Sequence, residues 1–126
     1  MLIDDINARS GIVIDAAMKV HSALGPGLLE SVYQACLAYE LRKRGLRVAE
    51  QVDVPVVYDD IRLDVGFRID LLVEDVIVVE LKAVAKLHPV HEAQLLSHVI
   101  LSHRRVGLLI NFHVVHLKDG IKRMMN

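Results

Sequence analysis

Tryptophan is absent, and aromatic residues make up only 4% of the 126 residues, so large rings contribute little to any core. Hydrophobic residues nevertheless reach 53%, and a core must therefore be built from Val, Leu, Ile and Ala. This composition is typical of a globular protein and excludes a disordered chain. The length suffices for one core, so we predict a single domain over residues 1–126.

Neither basic nor acidic residues are in excess. With 15 basic and 16 acidic residues the net charge is -1, so no global positive field attracts nucleic acid, and phosphate binding must come from a local patch. The one cysteine, Cys36, cannot form an intramolecular disulfide, which favours a reducing, cytoplasmic location. No apolar run approaches the roughly 20 residues that span a bilayer, and we recognise no signal peptide, so we expect no membrane partner.

Helical periodicity dominates the first third of the chain. Apolar residues recur at helical spacing from Ile3 to about Leu24, which predicts a first helix that Ser10-Gly11 kinks or delays. A second helix is predicted from Leu28 to about Lys43, after the Gly25-Pro26-Gly27 break and before a stop at Gly45.

From Leu46 the period shortens towards two, which predicts strands. The first region, Val48 to Val57, forms one long or two short strands, and the following strands are Ile61–Val65, Phe67–Val73 and Val76–Ala83. Val76–Ala83 is apolar on both faces, which indicates the centre of a sheet. A helix at Val90–Leu101, a strand at Val106–Phe112, a shorter strand near Val114–Leu117 and a tail or short helix complete the chain. This order predicts an α/β sandwich with at least one crossover.

Glu80 and Lys82 end the apolar strand and share one of its faces, because side chains two apart on a strand point the same way. Two buried charges persist only when they satisfy each other, bind a metal, or reach solvent at a cleft. A simple Glu-Lys pair at a wet strand end is the alternative.

Asp70 lies on the preceding predicted strand. It shares a face with Glu80 only if the turn near Glu74-Asp75 contains an odd number of residues or a bulge, and a two-residue turn would put the two acids on opposite faces. Glu-Asp lacks the Gly or Asn-Gly signature of a tight hairpin turn, so the odd turn is predicted. The alternative is that Asp70 is an ion-pair partner of Arg68 or a surface residue.

Glu30 lies near the start of the second helix, where an acid also stabilises the orphan amides and the helix dipole. It belongs to the pattern Gly27-x-x-Glu30-x-x-Tyr33. Around this pattern the chain resembles the GxxExxY family of the PD-(D/E)XK nuclease-like superfamily over nearly its whole length. Further matching blocks are Val20-His21 before Leu24-Gly25-Pro26-Gly27, Gly66-Phe67-Arg68-Ile69-Asp70, Val79-Glu80-Leu81-Lys82-Ala83, His91-Glu92-Ala93-Gln94-Leu95-Leu96 and Gly107-Leu108-Leu109-Ile110-Asn111-Phe112.

The resemblance implies a restriction-endonuclease-like three-layer α/β sandwich with a mixed central sheet flanked by helices. It implies that Asp70 and Glu80 are metal ligands, that Lys82 is the catalytic lysine, and that Glu30 is an accessory carboxylate with a catalytic or metal-binding role. Gln94 matches the glutamine of the superfamily pattern Q-x-x-x-Y, whereas His98 occupies the tyrosine position. The implied cofactor is Mg²⁺ or Mn²⁺, and the implied substrate is DNA or RNA.

The seven histidines prompt a comparison with zinc sites, but His88-Pro89-Val90-His91-Glu92 has neither of the usual zinc-protease spacings. His91, Gln94 and His98 share one helix stripe and are candidates for nucleic-acid contact, although a solvated polar face explains them equally well. The leading hypothesis is therefore a Mg²⁺-dependent nuclease. The competitors are a non-catalytic nucleic-acid- or protein-binding module and a structural role, and a homodimer would help a small protein embrace a duplex.

Overall fold

The computed structural model describes residues 1–126. Its three helices are α1 (Ile3–Leu24), α2 (Glu30–Lys43) and α3 (Pro89–Leu101). Its five strands are β1 (Val48–Tyr58), β2 (Ile61–Val73), β3 (Ile77–Lys82), β4 (Val106–Asn111) and β5 (Ile121–Met125), with a short 3₁₀ turn at Leu117–Gly120. No helix is both long enough and apolar enough to cross a membrane.

The strands form one sheet in the order β1-β2-β3-β4-β5, so β3 is its central strand, as its apolar sequence predicted. β3 and β4 run parallel and are joined through α3, while the other neighbouring pairs are antiparallel. The sheet is therefore mixed and contains the predicted crossover.

Alternate residues of the strands belong to two separate apolar clusters. Ile77, Val79 and Leu81 belong to a cluster with α1 and α2, whereas Val78 packs with Leu95 of α3. Because successive strand residues face opposite sides, α1 and α2 cover one face of the sheet and α3 covers the other. The predicted three-layer sandwich is confirmed.

The helices differ from the sequence predictions only at their ends and at Ser10-Gly11. α1 runs without interruption, because buried neighbours such as Val13 offset the low helix propensity of glycine. The buried Ser10 hydroxyl is satisfied within the helix, where it donates to the Ile6 carbonyl at 2.9 Å. α2 begins two residues later than predicted, at Glu30, and Gly45 follows it with a left-handed φ of 86°.

Three strand predictions were wrong. Ile61–Val65 and Phe67–Val73 are one strand, because Gly66 continues the pairing with β1 opposite Pro55. No strand forms near Val114–Leu117, where the chain turns and then enters the 3₁₀ segment. The C-terminal segment, expected as a tail or helix, is β5, which pairs with the otherwise free edge of β4 and satisfies its backbone groups.

The paired strands β1 and β2 form a two-stranded ribbon, and at one point along it the side chains change the face of the sheet to which they point. Leu71 and Val73 belong to the α1-α2 cluster, but Ile69, only two residues before Leu71, belongs to the α3 cluster. Gln51 and Asp70 lie between the Glu50–Leu71 and Val52–Ile69 pairs, and Gln51 has a left-handed φ of 51°. Because of this change, the apolar residues of β2 that precede Asp70, such as Phe67 and Ile69, face α3.

Candidate functional site

The turn between β2 and β3 decides whether Asp70 and Glu80 share a face. Val73 pairs with Ile77, so three residues, Glu74 to Val76, form the loop. The predicted odd turn is confirmed. Continuing the observed register by one step beyond the Leu71–Val79 pair puts Asp70 opposite Glu80. Two carboxylates therefore meet near the C-terminal end of β3.

Asp70 is held by neighbours on both sides. Its Oδ2 accepts a hydrogen bond from the Leu81 backbone N–H at 2.8 Å, and its Oδ1 lies 3.4 Å from the amide nitrogen of Gln51, which donates to it. Arg68 pairs instead with Asp53, at 3.0 Å, so the alternative of an Asp70–Arg68 ion pair was wrong. The carboxylate of Asp70 has no cationic partner among the protein's salt bridges.

Glu80 is only 7% exposed. Its Oε1 lies 2.6 Å from Nδ1 of His98, and the His98 ring stacks on Phe67 with centroids 4.2 Å apart. Burial raises the pKa of Glu80, and the neighbouring Asp70 carboxylate adds to the rise, while the His98 hydrogen bond opposes it. Glu80 is therefore a buried acid beside another acid, with the His98 ring hydrogen-bonded to its Oε1.

Glu30 is the first residue of α2, and Tyr33 sets where that helix begins. The Tyr33 hydroxyl donates to the Gly25 carbonyl at 2.6 Å and accepts from the Leu28 N–H at 3.1 Å, while its buried ring stacks on Phe112. Glu30 is thereby directed towards the sheet. Burial raises the pKa of Glu30, Asp70 raises it further, and Lys82 lowers it. Glu30, Asp70, Glu80 and Lys82 are thus electrostatic neighbours around the C-terminal end of β3.

Lys82 is the last residue of β3 and is half-buried. No salt bridge joins it to Glu80, so the two residues do not form a simple surface pair. A recess of about 20 Å³ is lined by both of them and by Leu95, Leu109, His91, Gln94 and His98. The α3 stripe that the sequence singled out therefore faces the two β3 charges.

The members of this stripe differ in their contacts. His91 Nδ1 accepts from the His88 backbone N–H at 3.0 Å, which ties it to the start of α3. Gln94 is exposed and its side-chain amide makes no hydrogen bond within the protein. His98 is committed to Glu80 through Nδ1 and leaves its Nε2 without a protein partner. Gln94 and His98 therefore retain polar atoms for a ligand in the recess.

The acidic side chains of the site meet the needs of a divalent cation only in part. No group of three or more His, Cys, Asp or Glu side chains is arranged to hold a metal ion. Mg²⁺, however, keeps several of its waters and is commonly bound through one or two carboxylates together with substrate phosphates. The hard oxygen atoms of Asp70 and Glu80 fit that mode, and a cation would offset both the burial and the repulsion by Asp70 that raise the pKa of Glu80.

Two residues at the site were missed by sequence reasoning. Asn111 is 2% exposed and clasps the segment after Lys82, accepting from the Val84 N–H at 3.1 Å and donating to the Val84 carbonyl at 2.9 Å. Gln51 contacts Asp70, as described above. The available signals were a buried-strand ending in asparagine and the polar pair Glu50-Gln51, which interrupts the apolar alternation of β1.

The raised pKa of Glu80 predicts that the stability of the metal-free protein depends on pH. Since the folded pKa lies above its ordinary value of 4.5, the folded state binds the proton more tightly than the unfolded state. The stability contributed by Glu80 is therefore present at acid pH and falls as the pH rises from about 4.5 through the folded pKa. Glu80→Gln is expected to gain stability relative to wild type over that window, measured by urea unfolding in EDTA.

The control for this measurement is Asp64→Asn, which removes an equal charge from an exposed position on β2. If the free energy of unfolding of wild type and that of Glu80→Gln differed by the same amount at every acid pH, the buried carboxylate would not be destabilising.

Comparison with known families agrees with the geometry. A family model described as the PD-(D/E)XK nuclease superfamily matches residues 7–124. No curated protein and no solved structure matched the chain.

Proposed function

Because the chain belongs to the PD-(D/E)XK nuclease superfamily, we propose that it is a Mg²⁺- or Mn²⁺-dependent nuclease that hydrolyses phosphodiester bonds of DNA or RNA. The observation that carries the proposal is the three-residue turn, because it brings Asp70 opposite Glu80 on the strand that ends in Lys82. The pattern Gly27-x-x-Glu30-x-x-Tyr33 supports the finer assignment to the GxxExxY family. Apolar clusters on both faces of one sheet support a single domain over residues 1–126.

In this proposal Asp70 and Glu80 hold the cation, and Glu30 holds a second cation or one of its waters. A divalent cation held there would supply Lewis-acid chemistry, since it would polarise a phosphoryl oxygen and lower the pKa of a bound water. His98 and the Leu81 N–H keep the two carboxylates in place through the hydrogen bonds described above. These contacts support preorganisation, in which the ligands need little rearrangement when the cation binds.

Lys82 supplies a positive charge on the face where the acids lie. Its ammonium group orients the attacking water and offsets the negative charge that develops on the phosphoryl oxygens in the transition state. Gln94 donates an amide hydrogen bond to the phosphate, and His91 and His98 line the path of the nucleic acid. The shared recess supports these roles, since it joins the β3 charges to the α3 stripe.

The second candidate function is a non-catalytic nucleic-acid- or protein-binding module that keeps the nuclease fold. The observation that favours it is His98, which stands at the tyrosine position of the superfamily pattern and is bonded to Glu80. In this alternative His98 takes the place of a cation as the partner of Glu80 Oε1, so cation binding separates the two functions.

The separating experiment is a calorimetric titration of the purified protein with Mg²⁺ and Mn²⁺, followed by cleavage assays. We expect binding of a divalent cation and cation-dependent cleavage of at least one of single- or double-stranded DNA or RNA, abolished by EDTA. The assays need low salt, because a chain of net charge -1 makes few phosphate contacts. Absence of both cation binding and cleavage would replace the nuclease by the binding module.

A further inference from the structure

Gln51 adopts a backbone conformation that its position does not explain. It lies inside β1, yet its φ is 51°, in the left-handed region that side chains other than glycine rarely adopt. The other left-handed non-glycine residues lie at turns or at the end of a helix, including Asp59 and Asp60 at the β1-β2 turn. A strained residue within a strand persists only where its surroundings hold it there, and such residues cluster at functional sites.

The strain turns two successive side chains towards α2. Gln34 of α2 donates to Glu50 Oε1 at 3.3 Å and accepts from the Gln51 amide at 2.5 Å. In a regular strand these neighbours would point to opposite faces. The left-handed residue thus brings the Gln51 amide to the side of the sheet on which α2 carries Glu30.

From that position the Gln51 amide reaches Asp70. Its nitrogen donates to Asp70 Oδ1, while the Leu81 N–H donates to Oδ2, so the two carboxylate oxygens have separate donors from neighbouring strands. Gln34, bonded in turn to Glu50, holds the amide in place. Asp70 is the acid that faces both Glu30 and Glu80, so its orientation decides where the acidic centre lies.

We propose that Gln51 is a positioning residue, which uses the left-handed bend of β1 to orient the Asp70 carboxylate for a divalent cation. This inference rests on the proposed function, since Asp70 must be a cation ligand. The Gln51 amide holds the Asp70 carboxylate in one rotation, and Gln34 holds the Gln51 amide in place. Loss of the amide therefore weakens cation binding without changing the charge of the site.

Two variants separate the amide from the backbone. Gln51→Met keeps the length of the side chain and the backbone strain but has no amide, and we expect the Mn²⁺ dissociation constant of the full chain, measured by calorimetry, to rise about 10-fold or more. Gln51→Gly also removes the amide, and we expect the same loss of Mn²⁺ affinity. Because glycine adopts the left-handed φ without strain, the melting temperature of this variant should equal or exceed that of wild type. Cleavage by Gln51→Met should recover at excess Mn²⁺, because positioning affects affinity.

Asp60→Gly is the matched control, since it relieves another left-handed residue, of φ 64°, at the remote turn. Its Mn²⁺ affinity should stay within about twofold of wild type, because exposed, distant charges are screened. If wild type binds Mn²⁺ and Asp70→Asn does not, while Gln51→Met binds like wild type, the positioning role is wrong and the nuclease proposal stands. If wild type binds no Mn²⁺, the proposed function fails and this inference fails with it.

Discussion

Asp70→Asn is expected to lower the rate of cation-dependent cleavage by at least about 100-fold, and Lys82→Ala by a similar factor, because both groups act on charge that develops in the transition state. Neither variant should unfold. Asn can still accept from the Leu81 N–H, and loss of the Asp70 charge removes repulsion that acts on Glu30 and Glu80. The metal-free Asp70→Asn protein should therefore be as stable as wild type or more stable.

Two controls keep this result specific. Asp64→Asn removes an exposed acid from the same strand, and Lys86→Ala removes an exposed lysine four residues after Lys82. Both should cleave at nearly the wild-type rate. Equal cleavage by wild type and Asp70→Asn would show that the activity comes from a contaminant, and melting curves of each variant would reveal any loss through unfolding.

His98→Phe is expected to weaken cation binding and cleavage by about 10- to 100-fold, the range found when the partner of a metal ligand is removed. The Phe ring can still stack on Phe67, but it has no donor for Glu80 Oε1. Without that donor the buried carboxylate loses its orientation and the group that stabilises its charge. Calorimetry with Mn²⁺ and the cleavage rate measure the two effects.

His98→Asn makes the complementary change. Its amide nitrogen occupies nearly the place of His98 Nδ1, so the hydrogen bond to Glu80 can persist although the stack on Phe67 is lost. We expect His98→Asn to retain more cation affinity than His98→Phe, and the exposed His113→Phe to resemble wild type. The reverse order would assign the main contribution of His98 to ring stacking.

Local patterns were sufficient for most of the architecture. The periods of about 3.6 and 2 predicted the three helices, and the two-sided apolar segment before Glu80 predicted the central strand. They failed at β5, because Ile121–Met125 is too short and too polar to indicate a strand alone. Its pairing depends on the free edge of β4, which belongs to a distant part of the chain.

The sequence by itself determined which chemical groups are present, the strand that carries Glu80 and Lys82 on one face, and the PD-(D/E)XK nuclease superfamily. It also restricted the turn after β2 to an odd length if Asp70 was to join them. Only the tertiary structure decided that His98 is bonded to Glu80, that Tyr33 sets the start of α2, and that Gln51 reaches Asp70. The reason is physical: periodicity records which side of its own element a residue faces, whereas these contacts join side chains from different elements, whose meeting depends on how the layers pack.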